Sequence, residues 1–102
     1  MSIKKQYLKN EPACKVTFKI SKEQVQGAES VRILGDFNSW NHDAEPVKKL
    51  KNGGFSQTLK LNPGKEYHFR YLINDSVWDN EPEADKHVPN GMGTGNNSVI
   101  VL

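Results

Sequence analysis

Two tryptophans in this sequence stand where a small domain does not usually keep its rings. Trp40 sits in the polar run Asn38-Ser39-Trp40-Asn41, and Trp78 is flanked by Ser76, Asp79 and Asn80 after a strand break. Burying an indole removes roughly 150–250 Å² from water, about 4–6 kcal/mol as an upper bound at ~25 cal/mol/Å². A domain with a total stability of about 5–15 kcal/mol would use that burial unless something else needed the rings outside. For either ring alone, closing the end of the core is the plain alternative. Two such rings together point to a ring-lined binding site, which stacks on nucleobases or on pyranose sugars. A nucleic-acid site would add a groove of Lys and Arg tracking the phosphates, whereas the lysines here are scattered among Glu and Asp. A neutral sugar needs rings for its C–H faces and a few amide, hydroxyl or guanidinium groups for its hydroxyls. Arg70, Thr94, Asn96 and Asn97 are of those types.

The remaining reactive side chains do not assemble into a catalytic or metal-binding pattern. His42, His68 and His87 fall on separate segments without metal-ligand spacing and read as surface residues. Asp79, Glu81, Glu83 and Asp85 alternate like the start of a calcium loop. Such a loop would need Gly at Ala84 and Glu at Asn90, and Pro82 stiffens its middle, so the segment reads as a solvated acidic loop. Gly91, Gly93 and Gly95 precede a strand where a phosphate-binding loop would precede a helix. They fit a flexible loop, or one that closes over a ligand. Cys14 is the single cysteine, which excludes an internal disulfide and a Cys-rich zinc site. No carboxylate pair in a cleft and no nucleophile with a base emerges. The expectation is a non-enzyme with no metal and no cofactor.

The elements that must hold these residues are strands. The chain has 102 residues, with 14 Lys+Arg against 12 Asp+Glu, which fits one compact domain and no dedicated phosphate-backbone binder. Residues 1–12 are polar and aperiodic and read as a tail that is loose or ordered only on contact; residues 13–102 read as the domain. Val16, Phe18 and Ile20 alternate with Lys15, Thr17 and Lys19, the period of a half-buried strand. Val31–Leu34, Val47–Leu50 and Phe55–Leu61 follow, separated by turn residues such as Asn52-Gly53-Gly54 and Asn62-Pro63-Gly64. Tyr67, Phe69, Tyr71 and Ile73 share one face of the next strand, with His68, Arg70 and Leu72 on the other. Val77-Trp78 resumes briefly, a Pro- and Asp-rich loop runs to Gly95, and Ser98–Leu102 is the last strand. Ser21–Glu29 lacks an apolar stripe and reads as a loop or single turn. About seven short strands make an all-β sandwich. No apolar run approaches the ~20 residues that span a bilayer, and no leader pattern opens the chain, so the expected location is cytoplasmic.

Taken in order, four motifs carry a resemblance: Gly35-Asp36-Phe37-Asn38-Ser39-Trp40-Asn41, Gly64-Lys65-Glu66-Tyr67-His68-Phe69-Arg70-Tyr71, Trp78, and Gly93-Thr94-Gly95-Asn96-Asn97-Ser98. From roughly Cys14 to Leu102 the chain resembles the family 48 carbohydrate-binding modules, the early-set domains of isoamylases and branching enzymes. It is also similar to the glycogen-binding domain of the AMP-activated kinase β-subunit, and stand-alone bacterial members resemble the whole chain. The resemblance implies an immunoglobulin-like sandwich that binds α-1,4-linked glucan without catalysis. Trp40 and Trp78 match the family's stacking rings, and Arg70 its basic strand residue. Met92, Thr94 and Asn96 match a loop pressed over the sugar. Two positions depart from the pattern: Asn74-Asp75-Ser76-Val77 is longer than the Asp-Gly turn of the kinase-type modules, and Met92 stands for a shorter Leu. The implied partners are an α-glucan and a glucan-active enzyme or other protein, with no nucleic acid and no membrane. The competing expectation is a regulatory sandwich without sugar binding that docks a protein along a free strand edge.

Overall fold

The computed structural model describes residues 2–89 and 95–102. Nine strands follow in chain order: β1 (Ser2–Tyr7), β2 (Cys14–Ile20), β3 (Val31–Gly35), β4 (Lys48–Lys49), β5 (Phe55–Leu61), β6 (Glu66–Ile73), β7 (Val77–Asp79), β8 (Lys86–Pro89) and β9 (Asn96–Val101). They form two antiparallel sheets, ordered β1-β2-β5-β4 and β3-β6-β9-β8, with β7 also paired to β6. The all-β sandwich expected from the alternation is what the chain folds into. Among the described residues, no helix is long and apolar enough to cross a membrane.

The alternation places the core. Cys14, Val16, Phe18 and Ile20 of β2 are buried on the inner side of one sheet, facing Tyr67, Phe69, Tyr71 and Ile73 of β6. Phe18 meets Phe69 edge-on at 5.3 Å, and Phe69 meets Tyr71 at 5.8 Å. Contacts of this kind add about 0.5–1.5 kcal/mol each beyond area burial. The inward parity of β6 is thereby committed to the core, and its outward parity is left free for a surface.

Three segments differ from expectation. Residues 2–7 are not loose: β1 pairs with β2 from Ser2↔Lys19 to Tyr7↔Cys14. Their alternation is weak, and the free edge of β2 supplies the backbone partners. The segment after Trp78 is not simply a solvated loop, because Lys86–Pro89 pairs with β9 and Glu81 is fully buried. Glu81 Oε1 accepts the Tyr71 hydroxyl at 2.6 Å, and Oε2 accepts the Glu83 N–H at 2.8 Å. The Glu81 N–H donates to Ser98 Oγ at 2.9 Å, and His87 Nε2 donates to the Glu81 carbonyl at 2.8 Å. Tyr71 and Ser98 lie ten and seventeen residues away, beyond any local pattern. Finally, Val47–Leu50 forms pairs only over Lys48–Lys49.

Burial, and after it the adjacent Glu81 carboxylate, push the Tyr71 phenol far above the ordinary tyrosine range. Unfolded tyrosine ionises near pH ~10, so the stability tied to this group is complete below that pH and is lost above it. Tyr71→Phe should soften the alkaline fall in stability and cost about 1–2 kcal/mol at neutral pH, read from urea unfolding. Glu81→Ala orphans a buried hydroxyl and a backbone N–H and should cost about 2–4 kcal/mol.

A second polar tie links the sheets. Asp85 accepts from Lys5 Nζ at 2.6 Å and from the Val101 N–H at 2.7 Å. Partial desolvation pushes the Asp85 carboxyl up, but the Lys5 and Val101 bonds outweigh it and hold its pKa below the ordinary value. This contribution is present above pH ~4, where the unfolded group is ionised, and is lost as pH falls through the lowered value. Asp85→Asn should therefore flatten the acid limb of a stability-versus-pH curve.

Candidate functional site

The turn after β3 is built so that almost every residue has a structural partner. A Cβ on Gly35 would lie 2.4 Å from the His68 carbonyl oxygen and 2.8 Å from Phe69 Cβ, so the backbone can run this close to β6 only as glycine. Phe37 turns inward among Phe18, Tyr67 and Phe69, at centroid distances of 6.3–6.5 Å. Asn38 Oδ1 accepts the Gly35 N–H at 3.0 Å, and its Nδ2 donates to the Ile33 carbonyl at 2.8 Å. Ser39 and Trp40 then adopt left-handed backbone, with φ of 57° and 56°. That conformation costs roughly 1–2 kcal/mol per non-glycine residue. The Trp40 N–H donates to the Gly35 carbonyl at 3.0 Å. Its indole Nε1–H donates to Asp36 Oδ1 at 3.1 Å, while Asp36 Oδ2 accepts the His68 N–H at 2.8 Å. One carboxylate thus ties the loop ring to the central strand.

Trp78 is positioned by a hairpin. Asn74 and Asp75 both take positive φ, 51° and 61°, residue types that tolerate the left-handed region. Asn74 Oδ1 also accepts the Glu29 and Ser30 N–H groups, and Asp75 pairs with Arg32. The turn therefore closes tightly despite its length, and β7 returns along β6 with Trp78 opposite Leu72. The Arg70 guanidinium lies 5.2 Å from the centroid of the Trp78 ring, within cation–π range. His42, two residues beyond Trp40, meets Trp78 edge-on at 5.5 Å. The loop carrying Trp40 and the strand carrying Trp78 are therefore in contact, and both rings are half-buried.

The floor beneath them is the outer face of the β3-β6-β9-β8 sheet. Leu34 pairs with Arg70, Leu72 with Trp78 and His68 with Val99. Leu34, Leu72 and Val99 are almost fully buried yet lie outside the main core cluster, giving an apolar layer on the face away from the sandwich interior. Gly95, with φ 109°, passes close enough that a Cβ there would sit 3.9 Å from an Arg70 terminal nitrogen. The Arg70 Nε is buried and has no acceptor among the described residues.

The residues expected from sequence are distributed as follows. Trp78 and Arg70 touch, the Trp40 loop reaches Trp78 through His42, and the Trp40 ring itself is bonded to Asp36. Asn96 is exposed at the first position of β9, opposite Pro89. Strand alternation puts it on the side of the buried Ser98, and puts Asn97 with Val99 on the Arg70 side. Met92 and Thr94 lie outside the described residues. Sequence reading passed over Asp36, His68, His42 and the three buried aliphatics. Only the clustering of Asp36 and His42 around Trp40 in the chain could have marked them.

The chain is an all-β sandwich whose outer sheet face carries Arg70 against Trp78, with the Trp40 loop reaching Trp78 through His42. Residues 17–102 match the family described as the glycogen recognition site of AMP-activated protein kinase, and the chain belongs to that family. The family so described is a glycogen-recognition, carbohydrate-binding domain. The chain is also similar to "Protein PTST homolog 2, chloroplastic" of Arabidopsis thaliana, at 34% identity over 74 residues. The match covers 72% of this chain and only 13% of that protein.

Asp36→Ala in a Trp78→Phe background leaves Trp40 as the sole tryptophan, which can be excited apart from the three tyrosines. Loss of its tether should lower its fluorescence anisotropy and red-shift its emission. The stability cost should stay near about 0.5–1.5 kcal/mol, since water can reach the freed His68 N–H.

Proposed function

We propose that the face bearing Trp40, Arg70 and Trp78 binds α-1,4-linked glucan by stacking glucose rings on the two indoles. The Trp78 face opposite the guanidinium takes one glucose ring, and Trp40 takes another along the same chain. Arg70 bonds the sugar hydroxyls with Asn97 beside it, and Asn96, on the other side of β9, adds to them only from the exposed end of the strand. Met92 and Thr94, which precede β9 in the sequence, cover the sugar. The observation that carries this reading is the contact of the Trp40 loop with Trp78 through His42, 5.5 Å between ring centres, above a sheet face already floored with aliphatic side chains. Membership in a glycogen-recognition family supports it.

Such a face is open, and each hydroxyl must shed water before it bonds. The affinity for a single oligosaccharide is therefore weak, on the order of 10 µM to 1 mM. A branched polymer presents many chain ends, and linkage to a glucan-active enzyme or other partner would raise the effective affinity. Calorimetric or Trp-fluorescence titration with maltoheptaose should saturate in that range. Trp40→Ala and Trp78→Ala should each weaken binding at least tenfold while the thermal midpoint moves by only a few degrees. A folded chain that shows no saturable signal with millimolar sugar would overturn the assignment and favour a protein-docking sandwich instead.

A further inference from the structure

The opposite outer face of the sandwich has a different composition. Alternation in the β1-β2-β5-β4 sheet sends Lys4, Lys15, Lys19, Lys48 and Lys60 to the side away from the core. In the pairing register Lys4 lies across from Thr17 and Thr17 from Thr58; Lys15 lies across from Lys60, and Lys19 and Lys48 flank Ser56. The lysines are exposed, and the Thr17 and Thr58 hydroxyls bond each other at 2.9 Å. With strands ~4.8 Å apart and same-face residues ~6.8 Å apart, these ammonium groups cover a patch of about 14 × 14 Å. Among the described residues no strand position on this face is acidic. Lys60 pairs with Glu11, and among the described residues Lys4, Lys15, Lys19 and Lys48 have no ion-pair partner.

We infer that this face docks on an anionic lipid surface. The patch is one open sheet face with five lysines interspersed with hydroxyls. Its strand positions carry no aromatic ring and no arginine, and the exposed aliphatic side chain at its border is Leu50, beside Lys19. A protein partner would be expected to find anchors of Trp, Tyr or Arg, and lysine is depleted in such interfaces. Single-stranded nucleic acid would require rings to stack on, and the groove of a duplex admits a helix or a β-ribbon but not the broad face of a sheet. A planar array of mobile anionic headgroups needs neither a groove nor rings and matches lysine as a point charge. The two outer faces point in opposite directions, so a docked molecule presents the tryptophan face away from the lipid. The inference rests on the lysine face alone and stands whether or not the other face binds glucan.

Sedimentation of the full chain with vesicles containing ~30% phosphatidylserine tests it. Binding should be clear at low ionic strength, absent on phosphatidylcholine vesicles, and mostly lost by about 0.3 M salt. Each lysine near an anionic leaflet contributes about a fivefold factor, so Lys15→Gln/Lys19→Gln should weaken partitioning about 25-fold. Lys65→Gln/Lys86→Gln, with the same change in net charge away from this face, should change it less than about threefold by the same reasoning. Circular dichroism and thermal melting confirm that both variants are folded. No binding to the anionic vesicles, equal loss in the two variants, or capture of polyglutamate or a single-stranded oligonucleotide without lipid binding would each overturn the inference.

Discussion

The two oxygens of Asp36 hold the indole N–H of Trp40 and the backbone N–H of His68, and the placement of the whole tryptophan face follows from that bridge. A ring on a six-residue turn is not otherwise confined, and binding would then carry the entropic cost of ordering it, about 0.5–1.5 kcal/mol for one rotamer-rich side chain. Asp36 sits where it does because Gly35 lets the chain approach β6, and because Asn38 bonds both sides of the turn. Left-handed backbone at Ser39 and Trp40 is the strained consequence. Strain held by surrounding bonds is common where a side chain must be presented to a ligand.

Strand β6 serves both halves of the molecule. Its inward residues Tyr67, Phe69 and Tyr71 stack into the core, while outward His68, Arg70 and Leu72 form the middle row of the tryptophan face. A shift of register by one residue would exchange the two sets, so core packing also fixes the site. The buried Glu81–Tyr71 bond adds a pin from the segment just after Trp78 to the inward side of the same strand. Core and outer face are therefore coupled through one strand, and changes in the core aromatics should be felt at the tryptophan face.

Much of this was legible in the residues. The period-two patterns of β2 and β6 placed the core, and the polar surroundings of Trp40 and Trp78 marked them as rings outside it. The ordered motifs also identified the family that the comparison then matched. What stayed hidden depends on contacts between distant segments. Glu81 reads as one acid among alternating acids, because its partners Tyr71 and Ser98 come from other strands. The 2–7 segment reads as a tail, because only the free edge of β2 makes it a strand. The lysine face was invisible for a related reason. Near-neutral net charge averages over the chain, and Lys4 joins Lys15 and Lys19 only once β1 is paired. Asn97 rather than Asn96 shares the Arg70 side, a distinction set by strand register and not by motif spacing.

The account requires both indoles to engage one glucan chain on a single face. Nuclear magnetic resonance of the ¹⁵N-labelled chain during addition of maltoheptaose tests this directly. The two indole N–H signals, with the Gly95 and Asn97 amides, should shift together along one saturation curve, and the amides of Lys15 to Lys19 should stay in place. An indole signal that never moves, two curves with different midpoints, or shifts centred on β2 and β5 would contradict it.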